Sequence, residues 1–137
     1  MIIEQVTDFA PCHALRRAVF IEEQGIAEPD EWDDLDVDAI HLLAHEEDTP
    51  LGTARLIRVG ETGKIGRICV VREARGTGLG AALVRESCAR LREIGCTRAY
   101  LSAQCYAIGF YERLGFAAYG AEYDDAGIAH KDMEMAL

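Results

Sequence analysis

The sequence predicts an α/β chain of the α+β type, in which a mixed, mostly antiparallel central sheet is flanked by helices. Three observations predict it. Residues 65–80 read as a β-branched strand, a turn with glycines at 76, 78 and 80, and the opening of a helix. Upstream, three apolar runs between 40 and 71 are separated by short polar or glycine-bearing turns, the pattern of an antiparallel meander. Downstream, a strand follows the helix directly, and strand–helix–strand in succession implies a parallel pair.

The elements follow in order. Met1–Val6 is apolar and reads as an edge or second strand, and Asp8 and Pro11 suit the start of a helix. Leu15, Ala18, Val19 and Glu22 continue it at helical spacing, and Gly25 suits its end. Residues 28–38 carry seven carboxylates and Trp32 without alternation, which predicts a loop or a short irregular helix. Most of these carboxylates are expected to be solvated, with a substrate-side wall that attracts an amine as the alternative. Strands are expected over 40–46, 51–59 and 64–71. A helix runs from Gly78 to about Glu93, with Leu79, Leu83, Leu91 and Ile94 inward and Gly95 as its stop. A strand over 98–103, a short helix over 107–114, and strands over 116–123 and 130–136 complete the chain.

Composition sets the limits. With 137 residues the chain is expected to form one domain, 1–137, and half of its residues are apolar, enough for a globular core. Asp and Glu number 24 against 14 Lys and Arg, a formal charge of −10, which disfavours a nucleic-acid backbone as partner. The five cysteines are odd in number and none forms a Cys-x-x-Cys pair, so neither a disulfide frame nor a metal site is indicated. No secretory leader or membrane-length apolar run is visible, and a cytoplasmic location without membrane partner is the expectation.

The glycine turn carries the chemistry. A helix N-terminus exposes unpaired N–H groups and partial positive charge, and glycines let an anion approach the backbone closely. Arg75 adds a full charge at the mouth of this cradle. The spacing is neither that of the dinucleotide fingerprint nor of a P-loop. Arg75-x-x-Gly78-x-Gly80 after the strand ending Val70-Val71 resembles the pyrophosphate signature of the GNAT superfamily of N-acetyltransferases. Ala107-Ile108-Gly109-Phe110-Tyr111-Glu112-Arg113-Leu114-Gly115-Phe116, about thirty residues on, is similar to a second segment of that family. Leu15-Arg16, Val19-Phe20, Glu23-Gln24-Gly25 and the ending Gly127-Ile128-x-His130-x-x-Met133 resemble the small ElaA-like branch.

The resemblance covers nearly the whole chain and implies a sheet that splays into a V where two parallel strands part, with acetyl-CoA as co-substrate in the V. It implies an N-acetyltransferase that moves the acetyl group to a primary amine of a small molecule, or an exposed amino group, by direct attack. Arg75, Gly76, Gly78, Leu79 and Gly80 would bind the pyrophosphate. The backbone of Ile68, Cys69 and Val70 would pair with pantetheine and polarise the thioester. Gln104 stands where many relatives carry an asparagine that touches the pantetheine arm. Tyr111 would protonate the departing thiolate, and a phenol of pKa about 10 suits that task. Cys69 is read as packing rather than as a nucleophile. The base is left open among Glu22, Glu23, His41 and His130, with a water relay as the alternative. Arg16, Glu23, His41 and His130 are the substrate-side candidates, and Arg16 could instead hold a carboxylate of the acidic loop. A strand-borne glutamate used by some relatives is missing, with Arg67 standing nearby. Two alternatives share the scaffold: transfer from a different acyl-CoA, and a CoA sensor without turnover. A homodimer is an expectation by analogy with such folds.

Overall fold

A computed structural model describes residues 1–137. Seven strands form one sheet in the order β1-β2-β3-β4-β5-β7-β6: β1 (Ile2–Val6), β2 (Ile40–Glu46), β3 (Thr49–Val59), β4 (Thr62–Val70), β5 (Arg98–Gln104), β6 (Ala117–Asp125) and β7 (Ile128–Ala136). All neighbours are antiparallel except β4 and β5. β1 takes the edge position.

The turns explain why the strands run longer than expected. Glu47 and Asp48 both take positive φ, 50° and 65°, so β2 and β3 are joined by two residues and β3 begins at Thr49 rather than 51. Ala126 and Gly127, at 53° and 82°, do the same between β6 and β7, which starts at Ile128 rather than 130. Two left-handed residues in succession match the twist of a tight hairpin.

Helices cover both faces. α1 (Ala10–Arg16) runs on into a π-helical segment, Arg17–Glu23, that ends before Gly25 at φ 74°. Asp8 stands one residue before the observed N-cap, Phe9, and still accepts the Ala10 N–H at 3.1 Å. This segment buries Cys12, Leu15, Val19 and Phe20 against Leu43 and Cys69 on one face of the sheet. α2 (Glu28–Glu31) is the short helix of the acidic stretch. On the opposite face α3 (Leu79–Glu93) packs Leu79, Leu83, Val84, Cys88 and Leu91 into the main core with Leu42, Leu56, Ile65, Leu101 and Met133. Each fully buried leucine contributes about 1.5–3 kcal/mol. Ile94, expected inward, is the C-cap of α3 and is exposed, because the helix stops before another turn can carry it back to the sheet. α4 (Ile108–Arg113) brings Phe110 and Tyr111 against the same core beside Phe116.

The sheet parts at its one parallel pairing. β4 and β5 are joined only by Thr62↔Arg98, Gly63↔Ala99 and Lys64↔Tyr100. Beyond Lys64, β4 stays with β3 and β5 stays with β7, so the two half-sheets diverge as a V. A bulge lies just past the apex. Ala54 on β3 stands opposite two residues of β4, Arg67 and Ile68, and Arg67 takes φ 50°. An extra residue bends its strand and increases the twist, which carries β4 away from β5. At the apex itself α3 packs tightly on the sheet: a Cβ on Gly63 would fall 2.4 Å from the Leu91 side chain.

Candidate active site: the cleft between β4 and β5

The V opens into a cavity of about 540 Å³. One wall is β4 with the end of the first helical segment, the other is β5 with α4 and the β6–β7 hairpin. Of the residues singled out in the sequence, Glu23, Ile68, Cys69, Val70, Arg75, Gln104, Tyr111 and His130 line it together. The free edge of β4 is the physical reason: past Lys64 its backbone has a hydrogen-bonded neighbour on one side only.

The glycine turn follows Arg75, which lines the cavity; Gly76, Gly78, Leu79 and Gly80 themselves do not line it. Gly76 and Gly78 have φ 77° and 86°, and a Cβ on either would meet nothing within 4 Å, so the backbone stands open to solvent. Gly78 is the N-cap of the fifteen-residue α3 and supplies no side-chain cap. The first N–H groups of α3 are therefore available to an anion. This open, uncapped geometry fits the diphosphate of a CoA thioester. Thr77 does not compete, since its hydroxyl donates to the Ala74 carbonyl at 2.6 Å. Arg75 is already engaged: Nη1 and Nη2 donate to Glu23 at 2.5 and 2.8 Å, and Nε donates to the Val70 carbonyl at 3.0 Å. Glu23, a candidate base, is thereby held below the usual carboxylate range, chiefly by its hydrogen bond from Arg75.

Two amides close over the V. Gln104 Nε2 donates to Gln24 Oε1 at 2.9 Å, joining the end of β5 to the end of the first helical segment. Tyr111 lines the wall on the β5 side, its ring edge-on to Phe110 and Phe116, and burial pushes its phenol up to about 12. Cys69 faces the smaller core cluster, and burial pushes its thiol up to about 12. A thiol so held is protonated and a poor nucleophile. All five cysteines are free.

His130 is 8% exposed and lines the cleft. Its Nδ1 lies 2.7 Å from the Ile128 carbonyl, which can only accept, so Nδ1 donates there and the neutral ring carries its lone pair on Nε2. His41 has a different place: it is 3% exposed, stacks on Phe9 and contacts the Asp36 carbonyl at 2.8 Å through Nε2. Arg16 is 1% exposed, donating from Nε to Glu31 at 2.9 Å and from Nη1 to Asp36 at 2.8 Å. Neither Arg16 nor His41 lines the cavity, and burial of both in the acidic stretch gives no support to the substrate-side expectation. The open alternative for Arg16, a carboxylate of the loop, is what its contacts show.

Most carboxylates of the acidic stretch are exposed, as expected: Glu28, Asp30, Asp33, Asp34 and Asp38. Glu31 and Asp36 are buried, and with Asp33 they meet three guanidinium groups. Burial opposes the charge on Asp36, but hydrogen bonds from Arg16, then Arg55 and His13, outweigh it and hold its carboxyl well below the usual range. Asp33 is lowered likewise, with Arg55 overcoming burial. Arg16 and Arg17 lie over the two-ring face of Trp32 at 5.3 and 5.6 Å, which makes Trp32 a packing residue behind the wall. Arg67, from the bulge, donates to the Glu31 carbonyl at 3.0 Å and approaches Asp33 at 3.4 Å. Sequence reasoning passed over Arg55 and Lys64, which also line the cleft; the signal was their place on strands that flank the splay.

No helix is long and apolar enough to cross a membrane, and no group of three or more His, Cys, Asp or Glu side chains is arranged to hold a metal ion. A model of the acetyltransferase (GNAT) domain matches residues 20–137. A Bacillus subtilis protein provisionally named an acetyltransferase is 38% identical over 136 residues, 95% of this chain and 92% of its own. The crystal structure of an acyl-CoA N-acyltransferase from Pseudomonas aeruginosa superposes with TM-score 0.86 at 29% identity, covering 98% of each chain. That of Escherichia coli ElaA superposes with TM-score 0.85 at 26% identity, over 98% of this chain and 99% of that one. The matched domain spans most of the chain and the splayed sheet is shared along its length, so the chain belongs to the GNAT acetyltransferase family.

Proposed function

We propose that the chain transfers an acetyl group from acetyl-CoA to a primary amine by direct attack within a ternary complex. One observation carries this reading: β4 leaves β5 after three residue pairs, so its edge over Ile68–Val70 is free and lines one cavity with Arg75 and Tyr111. Acetyl-CoA supplies an activated thioester. The chain supplies position. Main-chain N–H groups from Gly76 to Gly80, with Arg75, receive the diphosphate. The edge of β4 receives the pantetheine amides as a further strand would, and a β4 N–H faces the thioester oxygen. Gln104 is placed to exchange its amide partner Gln24 for the pantetheine arm.

Two proton transfers remain. Tyr111, protonated throughout the neutral range, donates to the leaving sulfur. His130 offers an Nε2 lone pair on the cleft wall and takes the amine proton directly or through water. Glu23 is a poor base, since its charge is committed to Arg75. The raised thiol of Cys69 favours direct attack over a covalent acyl-enzyme. Thiol release from acetyl-CoA across an amine panel tests the reading, and intersecting initial-rate patterns are expected for a ternary complex. Tight CoA binding with no release for any amine would favour a sensor, and preference for a longer acyl chain would change the donor.

A further inference from the structure

Arg55, Lys64 and Arg67 line the cleft together with Asp30 and Glu31, in a chain of formal charge −10. These three cations surround Gly66. Arg55 is the register partner of Gly66 across β3 and β4, Arg67 follows it, and Lys64 precedes it by two. A Cβ at Gly66 would meet nothing within 4 Å, so a notch is open among the three.

The arginines are fixed from behind. Arg55 commits Nη1 to Asp33 and Asp36 at 2.8 and 3.2 Å. Arg67 commits Nη2 to the Glu31 carbonyl and Asp33. Arg55 Nε and Arg67 Nε are fully covered and make no hydrogen bond, although the latter lies 3.0 Å from Glu31 Oε2, off the hydrogen-bond angle. Arg16 Nη2, behind them, is unpaired too. Buried guanidinium donors are ordinarily satisfied. Glu31, Asp33 and Asp36 balance the three guanidinium charges from behind, and Arg55 Nη2 and Arg67 Nη1 remain as the outer donors of groups that line the cleft. Two neighbouring guanidinium groups suit the two oxygens of one carboxylate.

We propose that the acceptor amine carries a carboxylate, held at the Gly66 notch by Arg55 and Arg67 with Lys64 beside them. This rests on the acetyl-transfer reading above. The notch and Ile68 are two residues apart on β4, on either side of Arg67, so an amino acid with its amine a few bonds from the carboxylate spans from the notch to the thioester.

The experiment compares phenylalanine, phenylalaninamide and phenethylamine, and 4-aminobutyrate against n-butylamine. Thiol release and equilibrium binding are both measured on the full chain. The carboxylated member of at least one series is expected to exceed its uncharged counterpart about tenfold or more in kcat/KM and in affinity, the scale of one charge-assisted pair. Arg67→Gln is expected to collapse that ratio toward one, and Arg67→Lys to keep part of it. Faster turnover of the decarboxylated amines, or a ratio unchanged in Arg67→Gln, overturns the subsite while leaving acetyl transfer standing. No release from any amine, with carboxylate-dependent binding still lost in Arg67→Gln, overturns the transfer reading and keeps the subsite. Indifference to the carboxylate in both measurements overturns the subsite outright.

Discussion

Arg75 and Glu23 grip each other across the mouth of the cleft, Nη1 to Oε2 at 2.5 Å and Nη2 to Oε1 at 2.8 Å. The arginine belongs to the glycine turn and the glutamate to the end of the first helical segment, 52 residues earlier. Arg75→Ala removes a charge from the diphosphate end and is expected to raise the Kd for CoA roughly tenfold. Glu23→Gln releases Arg75 toward phosphate and is expected to leave the Kd within about twofold or to lower it. Isothermal titration of the two variants decides: equal weakening by both would reduce the pair to a tie between helix and turn.

Gly78 is at φ 86° with open space around it. An aspartate there meets backbone strain of about 1–2 kcal/mol and sets a negative charge against the diphosphate. Gly78→Asp is expected to abolish CoA binding while the chain stays folded, as titration and circular dichroism would show together. Affinity like that of the parent chain would reject the cradle.

Tyr111 has its phenol pushed up to about 12 by burial, so it remains a proton donor across the whole assay range. Tyr111→Phe is expected to lower kcat by about 10²-fold, the low end for a general acid, with CoA affinity nearly intact. A pH–rate profile should show no fall from ionisation of this phenol below about pH 11. Unchanged kcat in the phenylalanine variant would assign the proton to another group.

Asp36 sits beneath Arg16 and Arg55 with its carboxyl held well below the ordinary value of about 4. A depressed folded-state value means that the contribution to stability is complete above the ordinary value and is lost progressively as the pH falls below it. Asp36→Asn leaves Arg16 buried with one partner fewer and is expected to cost about 3–5 kcal/mol near neutrality. The variant should also show a flatter decline of melting temperature between about pH 5 and pH 2. Thermal melts across that window would expose an error: parallel curves for the two chains mean that Asp36 does not set the acid limb.

The sequence made the order of elements readable because each carries its own local signal. The glycine turn, the Ala81–Glu93 run and the Phe110-Tyr111 helix are written in contiguous residues, and their placement about one cleft follows from strand–helix–strand chirality. The polar lining behind the cleft was readable only in part: a carboxylate of the acidic stretch was an open alternative for Arg16, but which carboxylates meet which arginines was not. Arg16 meets Glu31 and Asp36 at separations of 15 and 20 residues, and Arg55 meets Asp33 at 22, distances at which charge alone names no partner. His41 looked like a cleft histidine because strand position does not say which face carries the helix that covers it. Arg67 points to a general cause. A bulge shifts side-chain direction by one residue; Gly66, a glycine inside a strand, is its local signal, but it does not say which neighbour is the extra residue.

Gly63 and Leu91 touch where the two half-sheets begin to separate. The missing methyl lets the long helix seat its Leu91 at the hinge of the wedge, so the opening of the wedge and the oily layer beneath it are tied together at this spot. Any bulkier residue at that spot would prise helix from sheet and reshape the crevice at once. Room for a larger ligand is therefore gained more readily in the surrounding loops than by spreading the strands.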